Sequence, residues 1–253
     1  MNNIDLLPTS STIHINNIRH NNMYPSTPSV SSSTSSSGSS SSGSLSVSTS
    51  TLSSPLCVTT NTSKNNEGYL ELILGPMFSG KTSTLKKIYD QCIYCDIPIM
   101  VINYEADNRY CDASFMSTHD KIMIPCVKGT TITEILEQNK QKVEESEVIL
   151  INEGQFFKDI DKVIHLVEEL HKRIYICGLD GDFKKNKIGG LLDLIPHCDN
   201  VYKLKSLCSE CRNGKPGLFS YRITDETDQV VIGVENYKPV CRACFERLSN
   251  NKK

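Results

Sequence analysis

"YLELILGPMFSGKTSTLKKIYDQCIYC", residues 69–95, holds three kinds of local structure in one short run. The first seven residues are apolar and strand-like. The middle, "GPMFSGKT" (75–82), fits G-x-x-x-x-G-K-[ST], and the remainder reads as a helix. Between a strand and a helix this pattern has a physical meaning. Its glycines let backbone N–H groups turn inward around phosphate oxygens, and the positive end of the following helix faces the same anion. Gly75, Pro76, Met77, Phe78, Ser79, Gly80, Lys81 and Thr82 are the expected cradle for the phosphates of ATP. Lys81 would reach the terminal phosphates, and Thr82 would offer its hydroxyl to magnesium. The motif names a nucleoside triphosphate and leaves the second substrate open.

Working outward, "IPIMVINY" (97–104), "EVILIN" (147–152) and "RIYICGLDGD" (173–182) are further short apolar strands. "KDIDKVIHLVEELHK" (158–172) spaces Ile160, Val163, Ile164, Val167 and Leu170 as one face of an amphipathic helix. Strands alternating with helices predict an α/β fold built on a parallel sheet. After about residue 200 the texture changes, and "GLFSYRITDETDQVVIGVENYKPV" between two cysteine pairs reads as a small antiparallel appendage. At the other end, "SSSTSSSGSSSSGSLSVSTS" (31–50) has 14 serines in 20 positions, too few apolar groups to offset the entropy of ordering. Three segments are expected: a disordered tail over 1–66, a phosphate-loop domain over 67–200 and a small domain over 201–253.

The 253 residues carry 27 basic and 29 acidic side chains, a balance that argues against nucleic-acid partners. No apolar run approaches the length of a membrane span, and the first residues lack the apolar centre of a signal peptide. The expectation is a cytoplasmic protein. In a reducing compartment, 11 cysteines point to metal binding before disulfides. "CSEC" (208–211) and "CRAC" (241–244) are two C-x-x-C pairs, and together Cys208, Cys211, Cys241 and Cys244 can complete a closed tetrahedral zinc site. Cys92 and Cys95 share the spacing, but at the end of a helix they read as core or surface thiols.

The strand "EVILIN" ends in Asn152, where phosphate-transferring proteins usually place a magnesium-directed aspartate, and Glu153 follows one step later. Ligands of open α/β sheets bind at the carboxyl ends of the strands, which makes Glu153 the candidate general base toward a hydroxyl acceptor. Asp180 and Asp182 end the fourth strand. Asp107 and Arg109, in "YEADNRY", follow the second, where an arginine can stabilise the transferring phosphoryl group.

Taken together, "LGPMFSGKT", "DNRY" followed by "THD", "EGQFF", "LDGDF" and the two cysteine pairs resemble the cytosolic, zinc-containing thymidine kinases, over roughly residues 68–248. The resemblance implies transfer of the γ-phosphoryl group of ATP to the 5′-hydroxyl of thymidine, with deoxyuridine as a further acceptor. It implies a RecA-like domain, a zinc ribbon carrying a lasso loop, a homotetramer, and feedback inhibition by thymidine triphosphate. It assigns the base to Glu153, the phosphoryl-stabilising arginine to Arg109, and the magnesium surroundings to Thr82, Asp107 and Asn152. It places Met77, Phe157, Leu179, Phe183, Ser220 and Tyr237 at the thymine, with main-chain contacts from the stretch around Phe219 to Arg222 and from Val231, Ile232, Gly233 and Val234.

The chain departs from the family pattern at Asn152, where aspartate is usual. It also departs at Ile188, where many members carry an aromatic residue in the lasso. Ser220 stands in place of a common threonine and keeps the hydroxyl. Two other readings stay open on the residues alone. One is a P-loop ATPase or non-thymidine kinase with a zinc interaction module; the other is a nucleotide-binding subunit without catalysis.

Overall fold

A computed structural model describes residues 67–105, 115–117, 123–231 and 233–251. The serine-rich tail, Asp107, Arg109, Ile232, Cys57 and Cys111 lie outside the described residues. In chain order the elements are β1 (Tyr69–Gly75), α1 (Lys81–Tyr94), β2 (Ile99–Tyr104), β3 (Phe115–Ser117), β4 (Met123–Pro125) and β5 (Val127–Gly129). Next come α2 (Ile132–Gln138), α3 (Lys140–Glu145), β6 (Val148–Asn152), α4 (Val163–Glu168), β7 (Arg173–Leu179) and β8 (Asn200–Lys203). The chain closes with β9 (Ser206–Leu207), β10 (Pro216–Gly217), β11 (Phe219–Arg222), β12 (Tyr237–Val240) and α5 (Arg242–Asn251).

Six strands form one sheet in the order β5-β2-β6-β7-β1-β8, and all five pairings are parallel. This is the α/β sheet that the alternation of elements predicts. The small antiparallel pairs β9–β10 and β11–β12 make up the expected appendage. The division expected at 200/201 falls inside β8, which pairs with β1 along Glu71↔Asn200 to Leu74↔Lys203.

Alternation along the strands builds two core layers. Leu70, Leu72 and Leu74 of β1 join Ile149, Ile151, Ile174 and Ile176 on one face, under α2, α4 and the turn at Leu191–His197. Ile73, Val101, Leu150 and Tyr175 point the other way and pack on Leu85, Ile88 and Cys92 of α1. Each fully buried Leu or Ile contributes roughly 1.5–3 kcal/mol. These layers therefore dominate stability, since three of the six buried core residues of the small lobe are cysteines.

The helix expected over 158–172 is shorter than its periodicity suggests. It opens as a 3-10 turn (Ile160–Lys162), is α-helical only over Val163–Glu168, and leaves Leu170 exposed. Asp159 explains the late start. Its carboxylate accepts the backbone N–H groups of Ile132 and Thr133, both at 2.8 Å, and so serves the first turn of α2.

One buried acid stands out on the α1 face of β1. Glu71 accepts a 2.6 Å hydrogen bond from the Tyr69 hydroxyl, and Arg173 lies 4.8 Å from the Tyr69 ring centroid. Burial pushes the Glu71 carboxyl above its usual range, against the Tyr69 hydrogen bond and the Arg173 charge that pull it down. A carboxyl raised in the fold holds its proton more tightly there than in the unfolded chain. Its stabilising contribution is complete below the ordinary carboxylate range and is lost as pH rises through the folded value. Glu71→Gln is expected to match the parent protein in urea denaturation at about pH 4 and to exceed it at about pH 8. The same stability difference at both pH values would sink this assignment.

Candidate active site

Because the sheet is parallel, Gly75, Tyr104, Asn152 and Leu179 all finish at one edge. A cavity of about 400 Å³ opens there, and residues of the small lobe close its far side. The phosphate loop forms one end. Gly80, at φ 84°, makes the left-handed turn into α1, and Phe78 is also left-handed at φ 62°. A side chain on Gly75 would stand 2.8 Å from both the Leu204 carbonyl oxygen and Ser79 Oγ, so the loop needs glycine at its stem. Lys81 donates its ammonium to the Pro76 carbonyl at 2.8 Å, within the curve of the loop. Met77 through Thr82 line the cavity, with Gly75 and Pro76 as the stem behind them.

Glu153 follows β6 directly and is itself left-handed (φ 55°, ψ 41°), a conformation unusual for a residue with a side chain. It lines the cavity in a buried position. Gln155 Nε2 donates to its Oε2 at 2.7 Å, while Gln155 Oε1 accepts the Leu179 N–H at 3.0 Å. The backbone donor fixes which end of the Gln155 amide is oxygen, so the other end must donate to the carboxylate. Gln155, in the 3-10 turn Gly154–Phe156, thus orients Glu153 and ties it to β7. Nothing in the sequence singled it out beyond its place in "EGQFF".

Asn152 is enclosed in a polar ladder across the sheet. Its Nδ2 donates to Asn103 Oδ1 at 2.8 Å, and these two residues are register partners on β6 and β2. Its Oδ1 accepts from Cys177 Sγ at 3.0 Å and lies 3.5 Å from Thr82 Oγ1. Thr82 and Asn152 therefore put two neutral oxygens side by side at the entrance of α1, a donor type that suits a hard divalent cation. Asn103 was legible only as a polar residue inside an apolar strand.

The rest of the wall departs in part from expectation. Leu179 at the end of β7, Phe183 after it, and Ser220, Val231, Gly233 and Tyr237, from the small lobe, all line the cavity. Ser220 Oγ also accepts the Met77 N–H at 2.9 Å, which ties β11 to the phosphate loop. Val234 belongs to the 3-10 turn Val234–Asn236, next to the lining. Phe157, expected at the pocket, is instead 0% exposed in the main core, and Phe156 takes the cavity position. The reason is the 3-10 turn Gly154–Phe156, which swings successive side chains by about a third of a turn. Tyr104 contacts both rings, at 5.4 Å and 5.3 Å. Ile188, expected in the lasso, lies in the loop after β7 and faces the same cavity.

Asp182 serves as a loop organiser. Its Oδ1 accepts the N–H groups of Lys184 and Asn186, both at 2.8 Å, and its Oδ2 accepts Gln229 Nε2 at 3.1 Å. Asp180 pairs with Lys203 at 2.5 Å.

In the small lobe the ligand atoms of Cys208, Cys211, Cys241 and Cys244 all lie within 4.8 Å of one another. Cys211 Sγ is 3.8 Å from Cys241 Sγ and 3.4 Å from Cys244 Sγ. Four thiolates about 2.3 Å from a tetrahedral zinc would stand about 3.8 Å apart, so the cluster could hold that ion. Burial pushes the Cys208 thiol up, but backbone N–H groups of Cys211, Cys241 and Glu210 outweigh it and bring the thiol down to about 6. Cys92 and Cys95 take no part: Cys92 is buried under the sheet, and Cys95 is exposed beyond the end of α1. Among the described residues no helix is long and apolar enough to cross a membrane.

A family model for thymidine kinase matches residues 68–245. The thymidine kinase of Yaba monkey tumor virus (strain VR587) is 34% identical over 187 residues, covering 74% of this chain and 99% of that protein. The thymidine kinase of sheeppox virus (strain KS-1) is 36% identical over 179 residues, 70% of this chain and 97% of that one. The thymidine kinase of vaccinia virus (strain Western Reserve) is 34% identical over 181 residues, 71% and 98% respectively.

Cys241→Ser is expected to reduce bound zinc from about one ion per chain to well under half of that, measured by atomic absorption after gel filtration. Undiminished zinc in the variant would remove Cys241 from the ligand set.

Proposed function

The chain belongs to the thymidine kinase family, and we propose on that footing that its cavity holds thymidine beside the phosphates of ATP. Glu153 then takes the proton of the 5′-hydroxyl. The enzyme phosphorylates thymidine with ATP as donor, giving thymidine monophosphate and ADP, a salvage reaction. The observation that carries the site assignment is the shared cavity: the phosphate loop lines one end, Glu153 its floor, and Tyr237, Val231 and Phe183 its apolar wall.

The roles follow from chemistry. Main-chain N–H groups of the loop and the amino end of α1 hold the phosphate oxygens, and Lys81 shifts from the Pro76 carbonyl to the terminal phosphates. Glu153, oriented by Gln155, accepts the hydroxyl proton as that oxygen attacks the γ-phosphorus and ADP departs. Met77, Leu179 and Phe156 flank the acceptor, and Ser220 keeps the wall in register with the loop. Thr82 and Asn152 would hold magnesium, which would supply charge neutralisation for the transferring group. Arg109 and Asp107 complete the proposal on family grounds. So do acceptance of deoxyuridine, feedback inhibition by thymidine triphosphate, a homotetramer, a cytoplasmic location and the division of labour between residues 67–200 and 201–253.

ADP release by the purified protein with ATP and magnesium, with and without each deoxynucleoside, tests the reading. A rate that depends on thymidine or deoxyuridine supports it, and a rate indifferent to nucleoside points to an ATPase with another partner. Glu153→Gln keeps an acceptor for Gln155 but loses basicity, so kcat should fall about 10²–10⁴-fold while both KM values stay within a few-fold. A kcat within threefold of the parent would dismiss Glu153 as the base.

Asn152 offers a neutral acceptor where charge-assisted bonds are roughly twice as strong. Asn152→Asp, with Asn103 turning its amide to donate, is expected to lower the magnesium concentration giving half-maximal rate. An unchanged magnesium dependence would show that the neutral residue costs this enzyme nothing.

A further inference from the structure

Arg222, the last residue of β11, is 3% exposed and does not line the cavity. Its guanidinium nevertheless gathers the segment that does. Nη1 donates to the carbonyl oxygen of Glu226 at 3.0 Å and to that of Asp228. Nη2 donates to the Gln229 carbonyl at 3.2 Å and to the Tyr237 hydroxyl. The same group lies 3.8 Å from the Phe183 ring centroid and 5.1 Å from that of Tyr237. Phe183, Gln229 and Tyr237 are all cavity residues.

The chain between β11 and β12 needs such a centre. Its described residues belong to no strand, and only the turn Val234–Asn236 is helical, so its carbonyls must find donors elsewhere. Arg222 supplies them from the root of the segment. At the far side Gln229 Nε2 donates to Asp182 Oδ2 at 3.1 Å and to the Lys187 carbonyl at 3.0 Å. Between these points the Val231 N–H donates to the Tyr237 hydroxyl at 3.2 Å, which holds Val231 against the cavity.

We infer that Arg222 is a positioning residue for the nucleoside. It pre-orders the segment between β11 and β12 so that the acceptor meets a wall already folded, and it acts through Phe183, Tyr237 and main-chain carbonyls. A planar fork can serve several carbonyls and stack on a ring at once, whereas a lysine ammonium is a compact point charge. Without the fork, thymidine must supply the ordering when it binds, so apparent affinity falls while chemistry on the bound complex is preserved. The inference rests on the reading of the cavity as a thymidine site.

The test uses the full zinc-loaded chain carrying Arg222→Lys or Arg222→Met. Thymidine KM is expected to rise at least tenfold, with kcat within threefold, ATP KM within twofold and zinc content unchanged. Lysine should recover only a minor part of the loss. A Glu-specific protease should cut after Glu226 faster than in the parent, and saturating thymidine should slow that cleavage. A fall in kcat without a KM change, an equal rise in ATP KM, or cleavage at the parental rate would each overturn the proposal. If these variants do not fold, Gln229→Ala removes the outer latch from an exposed side chain and should raise thymidine KM alone, by about threefold; no change there would also overturn it. Should the parent protein phosphorylate no thymidine, the functional reading fails, while the protease comparison still reports on Arg222.

Discussion

The constraint on which everything else hangs is the common direction of six strands. A parallel sheet sends every strand's carboxyl end to one edge, and β1, β2, β6 and β7 deliver there a glycine loop, an aromatic ring, a carboxylate and an apolar wall. β7 lies between β1 and β6, and Thr82 and Glu153, which follow β1 and β6, line the same cavity. The polar ladder Asn103–Asn152–Thr82 is a direct product of register: β2 and β6 pair with their two asparagines side by side. Buried amides on neighbouring strands satisfy each other, so each can be kept inside a nearly apolar sheet.

The small lobe lives under a different constraint. Among the described residues, Tyr221, Val240 and Phe245 are the buried non-cysteine members of its core cluster, beside three cysteines. Phe245 contacts Phe219 and Tyr221 at 5.3 Å and 5.8 Å, edge-on, and the four cysteines that could hold a metal pack in the same cluster. Metal binding and folding are therefore expected to be one event in this region. Ser220 and Gln229 link the lobe to the sheet domain at Met77, Asp182 and Lys187.

Among the described residues, two of the six non-glycine residues with left-handed backbones stand at the cavity. Phe78 and Glu153 both hold left-handed backbones without being glycine, and both face the cavity. Such residues persist only when their surroundings over-determine them. For Glu153 the surroundings are Gln155 and, through it, the Leu179 N–H. A carboxylate held this way is oriented by the protein's own hydrogen bonds.

Strong local patterns carried the outline of this protein in its sequence. The phosphate loop between strand and helix, the two C-x-x-C pairs, and the apolar runs of β1, β2, β6 and β7 were all legible, because each depends on spacing within a few residues. Elements set by distant partners were not. β8 alternates half-buried and exposed residues, and the helix beginning at Val163 is delayed because Asp159 serves α2 instead. The choice of Phe156 over Phe157 turned on one 3-10 turn, and Gln155, Asn103 and Arg222 acquired their places only when separate strands met. The amino-acid sequence by itself determined which backbone segments could form and which chemistry they could bear. Tertiary structure alone decided which of those side chains face one another, because a buried polar group is positioned by the partner it must find.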